Sequence, residues 1–204
     1  MPGLSDHPLS VIIPAAGSSQ RLGQAKQLVT LTGKPLLRFI IELAATLRPL
    51  EIIVVTGAVA DKVQPVIEAA KRMVTQLTVV HNPNWESGIG SSISAGTSAL
   101  NDKTQAVMVL LADQWKITAD DLQVLQTAWH SNPQSLVASH TGNILGPPVI
   151  FPRDCFEALT KLKDDRGANS VVQNNIKRVI QVEICNAEAD LDTPNDLKAL
   201  QAAN

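Results

Sequence analysis

Val11-Ile12-Ile13-Pro14-Ala15-Ala16-Gly17-Ser18-Ser19-Gln20-Arg21-Leu22-Gly23-Gln24-Ala25-Lys26 is the stretch of sequence that decides the fold of this chain. It begins with an apolar, β-branched run and continues into a loop of small residues that also holds Arg21 and Lys26. Such a run is typical of a buried β-strand. Small residues let backbone N–H groups approach a phosphate closely, and the two cations offset its negative charge. The stretch therefore predicts a strand that ends in an anion-binding loop.

The first loop, residues 15–26, does not match the two common phosphate-binding motifs. A Walker A loop needs glycine at the position of Leu22, and a dinucleotide-binding loop needs glycine at the position of Ser19. A P-loop nucleotidase and a nicotinamide-dependent oxidoreductase are therefore disfavoured. Taken alone, the loop leaves two interpretations open, a phosphate site and a structural turn.

The composition favours a globular protein that binds anions locally. Of the 204 residues, 45% are hydrophobic and 18% are charged, and the formal net charge is −2. The chain therefore lacks an overall basic field for nucleic acid or for an acidic membrane surface. Aromatic residues make up 3% of the chain, which disfavours a stacking platform for single-stranded nucleic acid. We expect neither a nucleic-acid nor a membrane partner, and monomer is the default expectation.

The cysteines and the first residues indicate a cytoplasmic protein. Cys155 and Cys185 form no CxxC pair and have no histidine at zinc-site spacing, so we expect small, buried or partly buried thiols. Residues 1–10 lack the apolar segment of a secretory signal. The sequence has no apolar run of membrane-spanning length.

Apolar runs alternate with amphipathic segments along most of the chain. Strands are predicted at residues 10–14, 51–56, 77–81, 106–111, 136–139, 148–151 and 178–184, and helices at 35–47, 61–74, 90–100, 118–130 and 193–202. This alternation predicts an α/β protein with a mostly parallel sheet and helices on both faces. Ligands then bind beyond the carboxyl ends of the strands.

The alternating pattern breaks after Ser139. Thr141-Gly142-Asn143 is a turn signal and Gly146-Pro147-Pro148 precedes a strand, so we expect a hairpin-type insertion that covers a site. No internal repeat or linker divides the sequence. We therefore predict one domain over residues 1–204, with its core at about 10–200.

Asp113 follows an apolar strand and is the first candidate metal ligand. At that position a carboxylate lies at the ligand edge of the sheet, and Mg²⁺ uses one or two carboxylates together with substrate phosphates. The alternative is a helix cap, but Thr118 already begins the next helix in a capping box with Asp121.

Asp190 and Asp192 are the second set of candidate carboxylates. They alternate around Leu191, so in an extended segment both lie on one face. Together they are able to complete a metal site begun by Asp113. Asp196 is interpreted as a capping-box partner of Thr193 only.

Two further loops carry polar side chains. Residues 81–92 contain Asn82, Trp85, Ser91 and Ser92, and either form one side of a nucleotide site or cap a helix with Trp85 as a local anchor. Residues 164–169, Asp-Asp-Arg-Gly-Ala-Asn, are by themselves a charged surface turn.

Six motifs in chain order resemble the nucleotidyltransferases of the molybdenum-cofactor type, most closely the molybdenum cofactor cytidylyltransferases. They are Ala15-Ala16-Gly17-Ser18-Ser19-x-Arg21-Leu22-Gly23-x-x-Lys26, Asn82-Pro83-x-Trp85-x-x-Gly88-x-Gly90-x-Ser92, Leu111-Ala112-Asp113-Gln114, Gly146-x-Pro148, Asp165-x-Gly167-Ala168 and Asp190-Leu191-Asp192-Thr193-Pro194-x-Asp196. The resemblance spans about residues 10–200. It implies a Rossmann-like three-layer α/β/α fold and a cytoplasmic Mg²⁺-dependent enzyme that transfers CMP from CTP to the phosphate of molybdopterin.

The resemblance also implies roles for individual residues. It assigns nucleotide binding to Ala15, Ala16, Gly17, Ser18, Ser19, Arg21, Lys26, Asn82, Gly88, Ser92 and Asp113. It assigns acceptor binding to Gln114, Gly146, Pro148 and Gly167, and Mg²⁺ binding to Asp113 and Asp192. Arg21, Lys26 and Asp113 are the expected catalytic residues.

The choice of substrates rests on smaller details of the resemblance. The Ala-Ala-Gly form of the first loop accompanies CTP in related enzymes, whereas Ala-Gly-Gly accompanies GTP. Trp115, Pro147 and Asn169 depart from the family pattern, and we expect all three on the acceptor side. Guanylyl or other NMP transfer to a sugar or alcohol phosphate therefore stays open, as does a non-catalytic nucleotide-binding protein.

Overall fold

The computed structural model describes residues 7–142 and 144–202. Residues 1–6, which carry most of the predicted N-terminal segment, and Asn143 of the predicted turn lie outside the described residues. Within the described residues, no helix has both the length and the apolar character needed to cross a membrane.

Nine strands and seven α-helices make up the regular structure of the described residues. The strands are β1 Leu9–Pro14, β2 Thr30–Leu31, β3 Lys34–Pro35, β4 Ile52–Thr56, β5 Leu77–His81, β6 Ala106–Val109, β7 Leu136–Thr141, β8 Ile144–Pro152 and β9 Val179–Glu183. The helices are α1 Leu36–Ala45, α2 Ala60–Lys71, α3 Ile89–Ser98, α4 Ala119–Ser131, α5 Phe156–Thr160, α6 Asn169–Asn174 and α7 Pro194–Ala202.

A seven-stranded sheet in the order β5-β4-β1-β6-β8-β7-β9 forms the centre of the molecule. β1 pairs in parallel with β4 and β6, and β4 pairs in parallel with β5. β8 runs antiparallel to its neighbours β6 and β7, and β7 pairs in parallel with β9. The prediction of a mostly parallel α/β sheet is therefore confirmed.

Helices cover both faces of this sheet, as the apolar runs predict. In β1, Val11 and Ile13 belong to one buried cluster and Ile12 to the other, because successive strand residues point to opposite faces. The first cluster packs α1, α2 and α4 against the sheet, and the second packs α3, α5 and α6. The three-layer α/β/α fold is thereby confirmed.

Two of the predicted helix starts have the expected caps. Thr118 accepts from the backbone N–H of Asp121 at 3.2 Å, and the Asp121 side chain accepts from the backbone of Thr118 at 2.9 Å. Thr193 and Asp196 make the same reciprocal pair at the start of α7. These capping boxes satisfy N–H groups that a helix start leaves unpaired.

Several local predictions were wrong in detail. The predicted hairpin is present, because β7 and β8 pair antiparallel as far as Thr141 and Ile144, but β8 also pairs with β6, so the hairpin is part of the central sheet rather than an insertion. α5 and α6 were not predicted, because each is too short for its periodicity to be visible. Cys155 is buried as expected, but Cys185 is exposed.

Candidate active site

The first loop leaves the sheet at the carboxyl end of β1 and is held by Gln27. The Ala15 N–H donates to the Val55 carbonyl at 2.8 Å, which is the last bond to the sheet. The buried Gln27 amide then donates to the carbonyl oxygens of Ala15 and Gly17, each at 3.0 Å. Sequence reasoning missed this residue. A glutamine immediately before the apolar pair Leu28-Val29 is the signal that it belongs to the interior.

Ser19 fixes the far end of the first loop. It has a left-handed backbone with φ 57°, and its hydroxyl accepts from the Lys26 backbone N–H at 3.1 Å. This bond positions the backbone of Lys26 beside the carboxyl edge of the sheet. Arg21 lies in the 3-10 turn Gln20–Leu22 and is exposed.

Lys26 lies between two of the predicted carboxylates. Its ammonium forms an ion pair with Oδ2 of Asp113 and another with Oδ1 of Asp192, the latter at 3.0 Å. The Lys26 and Asp113 side chains are 19% and 12% exposed, whereas the Asp192 side chain is 46% exposed. The pair with Asp113 is thus largely removed from water, where a charge interaction is screened less.

Backbone pairing brings Asp113 and Asp192 together. The Leu191 N–H donates to the Asp113 carbonyl at 3.1 Å, and Gln114 and Asp190 form an isolated antiparallel bridge. The Gln114 amide donates to the carbonyl oxygens of Pro147 at 2.8 Å and Ala187 at 3.1 Å. Gln114 therefore joins three segments of the chain at the edge of the site.

The charges in this cluster shift the pKa values of its members. Burial lowers the pKa of Lys26, but the neighbouring Asp113 and Asp192 more than offset this and raise it above its ordinary value. Burial, together with the charges of Asp113 and Asp192, raises the pKa of Asp190 to about 7. The cluster therefore carries more carboxylates than Lys26 alone neutralises.

The donor set of the cluster fits a hard divalent cation. Among the described residues, Oδ1 of Asp113 and Oδ1 of Asp190 are buried side-chain oxygens with no hydrogen-bond partner. Carboxylate oxygens are the ligands that Mg²⁺ prefers, usually one or two of them completed by water and substrate phosphates. In the same ranges of the chain, no group of three or more His, Cys, Asp and Glu side chains is arranged to hold a metal ion. The carboxylates gathered here are those of Asp113 and Asp192, which share Lys26, and that of Asp190, whose buried Oδ1 has no partner.

Asn82 organises the opposite side of the site through bonds within the protein. Its buried amide donates to the hydroxyls of Ser91 at 2.8 Å and Ser92 at 3.1 Å. Its oxygen accepts from the Asn84 backbone at 2.9 Å. These contacts tie the loop to the first turn of α3, whose N-cap Gly88 has no side-chain capping bond, so Asn82 anchors the loop rather than capping the helix.

Trp85 packs directly against the first loop. A Cβ placed on Gly57 would lie 2.7 Å from the Trp85 Cβ and 2.8 Å from the Ala16 Cβ. Only glycine at position 57 leaves room for these two side chains to meet. The loop at 81–92 and the first loop are thereby joined around a common space.

The charged turn at 164–167 closes another side of that space. The Gly90 N–H donates to the Asp164 carbonyl at 2.9 Å, and a Cβ on Gly88, whose φ is +102°, would overlap Asp165. The turn is therefore packed against the start of α3. Asp165, Arg166 and Asn169 are exposed, as expected of a charged surface turn, but the contact with α3 is not visible in local sequence.

Two adjoining pockets result from this arrangement, and they share Ile89 and Leu111. The polar pocket has a volume of ≈ 320 Å³ and is lined by the first loop, the start of α3, and the charged side chains of Lys26 and Asp113. The apolar pocket has a volume of ≈ 200 Å³. Its polar side chains are those of Arg166 and Asn169, and the apolar ones come from α3, β6, β8 and α6 and from Leu111 and Ala168.

Most of the predicted nucleotide-binding residues meet in the polar pocket. Ala15, Ala16, Gly17, Ser18, Lys26, Gly88, Ser92 and Asp113 line it, whereas Ser19, Arg21 and Asn82 are not among its lining residues. Asp165 also lines the polar pocket and was not predicted to. Packing of its turn against Gly88 at the start of α3 places Asp165 there.

The predicted acceptor residues divide between the apolar pocket and the surrounding structure. Gly146 and Gly167 line the apolar pocket, as do the departures Pro147 and Asn169. Gln114 and Pro148 are not among its lining residues. The expectation that Trp115 lies on the acceptor side was wrong, since its side chain is buried in the hydrophobic cluster beneath α1, α2 and α4.

Comparison with known proteins finds a family that covers most of the chain. The family model described as the MobA-like NTP transferase domain matches residues 11–179. The bifunctional protein GlmU of Ralstonia pickettii is 29% identical over 164 residues, 79% of this chain, but the match spans 34% of GlmU. The chain thus corresponds to about a third of that relative. The purine catabolism protein PucB of Bacillus subtilis is 26% identical over 197 residues, 93% of this chain and 94% of PucB.

Solved structures share the fold. Rv0371c of Mycobacterium tuberculosis superimposes with a TM-score of 0.80 at 22% identity, covering 97% of this chain and 100% of Rv0371c. A second structure of Rv0371c, in complex with manganese, gives a TM-score of 0.75 at 20% identity, covering 97% and 100%.

Proposed function

The chain belongs to the MobA-like NTP transferase domain family, and from that premise we propose that it transfers CMP from CTP to the phosphate of molybdopterin and releases pyrophosphate. The observation that carries the proposal is the meeting of Lys26, Asp113 and Asp192 beside the first loop. A cation and two carboxylates at the edge of a small-residue loop suit a reaction between phosphates. The identities of the nucleotide and of the acceptor are taken from the resemblance that the six sequence motifs carry.

The triphosphate of the nucleotide lies along the first loop in this proposal. Gly17 and Ser18 line the polar pocket, and neither has a bulky side chain. Their backbone N–H groups are therefore accessible to phosphate oxygens in this proposal. In this proposal Lys26, which lines the pocket, binds the phosphates directly. Arg21 lies outside the pocket lining, and its side chain would extend to the phosphates from the exposed 3-10 turn. Two cations then offset the charge of the leaving pyrophosphate.

Asp113 and Asp192 would hold a divalent cation, which for this proposal is Mg²⁺. When bound, the cation supplies charge neutralisation at the α-phosphate and at the leaving group. The manganese complex of Rv0371c supports the use of a divalent metal on this fold. Asp192 is the more exposed of the two carboxylates.

The transfer itself needs no covalent group from the protein. An oxygen of the acceptor phosphate attacks the α-phosphorus, the bond to the β-phosphate oxygen breaks, and pyrophosphate leaves with the electron pair. The protein contributes orientation and electrostatic stabilisation. The apolar pocket beside the polar one receives the rest of the acceptor, since the two share Ile89 and Leu111.

A second candidate function keeps the same transfer but changes the acceptor. Pro147 and Asn169, two departures from the family pattern, both line the apolar pocket. The walls around them offer few polar groups for the hydroxyls of a sugar, which favours an acceptor phosphate with a largely apolar body over a polyol phosphate.

Pyrophosphate release tests both candidates. The purified protein is incubated with Mg²⁺, each of CTP, GTP, ATP and UTP, and one of three acceptors: molybdopterin, a sugar phosphate or an alkyl phosphate. Release that requires CTP and molybdopterin supports the first candidate, and release with CTP and the alkyl phosphate supports the second. Absence of pyrophosphate with every combination contradicts both.

A further inference from the structure

We propose that Lys26 and the divalent cation compete for the carboxylates of Asp113 and Asp192, so that the cation enters the site only together with a triphosphate that draws Lys26 away. The proposal deepens the function given above and rests on its triphosphate site. It makes Lys26 the residue that sets the order of binding.

The geometry of the ion pairs carries this inference. The Lys26 Nζ lies within hydrogen-bond distance of one oxygen from each carboxylate, Oδ2 of Asp113 and Oδ1 of Asp192. A cation that bridges the same two carboxylates needs oxygens at about 2.0–2.1 Å. It would therefore lie within a few ångströms of the ammonium, and in this poorly hydrated place two positive charges repel strongly. Oδ1 of Asp113 has no hydrogen-bond partner, so this repulsion, rather than occupation of the carboxylate oxygens, is what sets Lys26 against a cation between the two carboxylates.

The number of protein ligands points the same way. The described parts of the chain offer the cation two carboxylates here and no arrangement of three or more His, Cys, Asp and Glu ligands. A cation that arrives alone must break two ion pairs and receives few ligands in return. A triphosphate removes both disadvantages. Its oxygens are additional ligands for the cation, and they also accept hydrogen bonds from the displaced ammonium of Lys26.

Only the side chain of Lys26 has to move. The backbone N–H of Lys26 is held by the Ser19 hydroxyl at 3.1 Å, and the next residue, Gln27, is buried and bonded to the first loop. Lys26 lines the polar pocket together with Gly17 and Ser18, so the flexible stem carries the ammonium from the carboxylates towards the loop. The exchange therefore needs no rearrangement of the fold.

Binding of Mn²⁺ alone, measured by electron paramagnetic resonance of the free ion, tests the competition without turnover. Lys26→Met is compared with the wild-type protein in the absence of nucleotide, and we expect it to bind Mn²⁺ at least about tenfold more tightly. Lys26→Arg keeps a cation in place and is expected to bind as weakly as the wild type. Lys34→Met is the matched control, because Lys34 pairs with Glu42 outside the site. Unchanged or weaker Mn²⁺ binding by Lys26→Met would overturn the proposal.

A measurement on the wild-type protein covers the case in which Lys26→Met does not fold. Water-proton relaxation enhancement distinguishes Mn²⁺ bound with CTP from Mn²⁺ bound alone. We expect tight binding only with CTP, and Mn²⁺ binding that is equally tight without CTP would contradict the competition. Neither measurement includes an acceptor. Failure of CMP transfer to molybdopterin therefore leaves this test intact, and failure of this test leaves the transfer reaction open.

Discussion

The backbone N–H of Leu191 donates to the carbonyl oxygen of Asp113 at 3.1 Å, and together with the Gln114–Asp190 bridge this bond joins the segment after β6 to the segment before α7. Leu191 is buried, whereas its neighbour Asp192 reaches Lys26 with Oδ1 at 3.0 Å. The candidate metal site is thus built by backbone pairing between distant segments. Its carboxylates are consequently sensitive to changes at either segment.

Asp113→Asn should abolish turnover and leave the fold intact. The amide is nearly the size of the carboxylate, but it loses the charge that binds Lys26 and the expected cation. We expect pyrophosphate release to fall by a factor on the order of a hundred or more, with a melting temperature close to that of the wild type. Asp120→Asn, in the exposed first turn of α4, is the control and should keep full activity. Activity that survives in Asp113→Asn would show that the metal assignment is wrong.

Lys26→Ala should weaken binding of the triphosphate. The substitution removes a cation from the polar pocket, so the dissociation constant for CTP with Mg²⁺, measured by titration calorimetry, should rise by about tenfold or more. Lys34→Ala removes a lysine that is ion-paired elsewhere and should leave the constant unchanged. An equal constant for Lys26→Ala and the wild type would count against a phosphate contact.

Gln27→Ala should destabilise the protein and reduce its affinity for CTP together. The change leaves the carbonyl oxygens of Ala15 and Gly17 without their donors, and a buried unpaired polar group costs about 1–3 kcal/mol. Urea unfolding measures the free energy of unfolding, and CTP titration measures the affinity of the first loop for the nucleotide. Gln64→Ala, on the exposed side of α2, should change neither quantity. A fully stable Gln27→Ala protein with normal CTP affinity would contradict a holding role for this side chain.

Substitution of alanine for two glycines, one in the first loop and one beside it, should have different effects on stability. A Cβ on Gly17 meets nothing within 4 Å, so Gly17→Ala should keep its stability while the added methyl group narrows the polar pocket and weakens CTP binding. A Cβ on Gly57 would collide with Trp85 and Ala16, so Gly57→Ala should lower the melting temperature. Thermal unfolding and CTP titration of both variants check this contrast, and an equally stable Gly57→Ala would refute the close packing.

The two cysteines should differ sharply in reactivity. Burial raises the pKa of the Cys155 thiol to about 11, so at pH 8 very little of it is the nucleophilic thiolate. Cys185 is exposed. Titration of the native protein with a disulfide reagent at pH 8 should therefore modify one thiol quickly, and Cys185→Ser should remove that reaction. Rapid modification of native Cys185→Ser would mean that Cys155 is accessible.

Much of the fold was predictable because its signals are local. Strands such as β1 and β4 are apolar at all but one position and buried at every position, as expected of strands covered on both faces. The capping residues Thr118 and Thr193 mark in the sequence the positions at which their helices begin. The short helices α5 and α6 were missed, and β8 was predicted to begin four residues late, because these elements depend on packing rather than on periodicity.

By itself, the sequence determined the alternating α/β architecture, the first loop at the end of β1, and the candidate residues around it. The tertiary structure alone decided how the polar side chains are used: Asn82 and Gln114 bond within the protein, Trp115 packs in the core, and Asp165 reaches the polar pocket. It also placed Lys26 between Asp113 and Asp192. The physical reason is that strand and helix patterns depend on near neighbours, whereas the partner of a buried charge or amide is chosen by segments that meet only after folding. The role proposed for residues 11–26, as one side of a transferase site, therefore depends on contacts with residues outside this stretch.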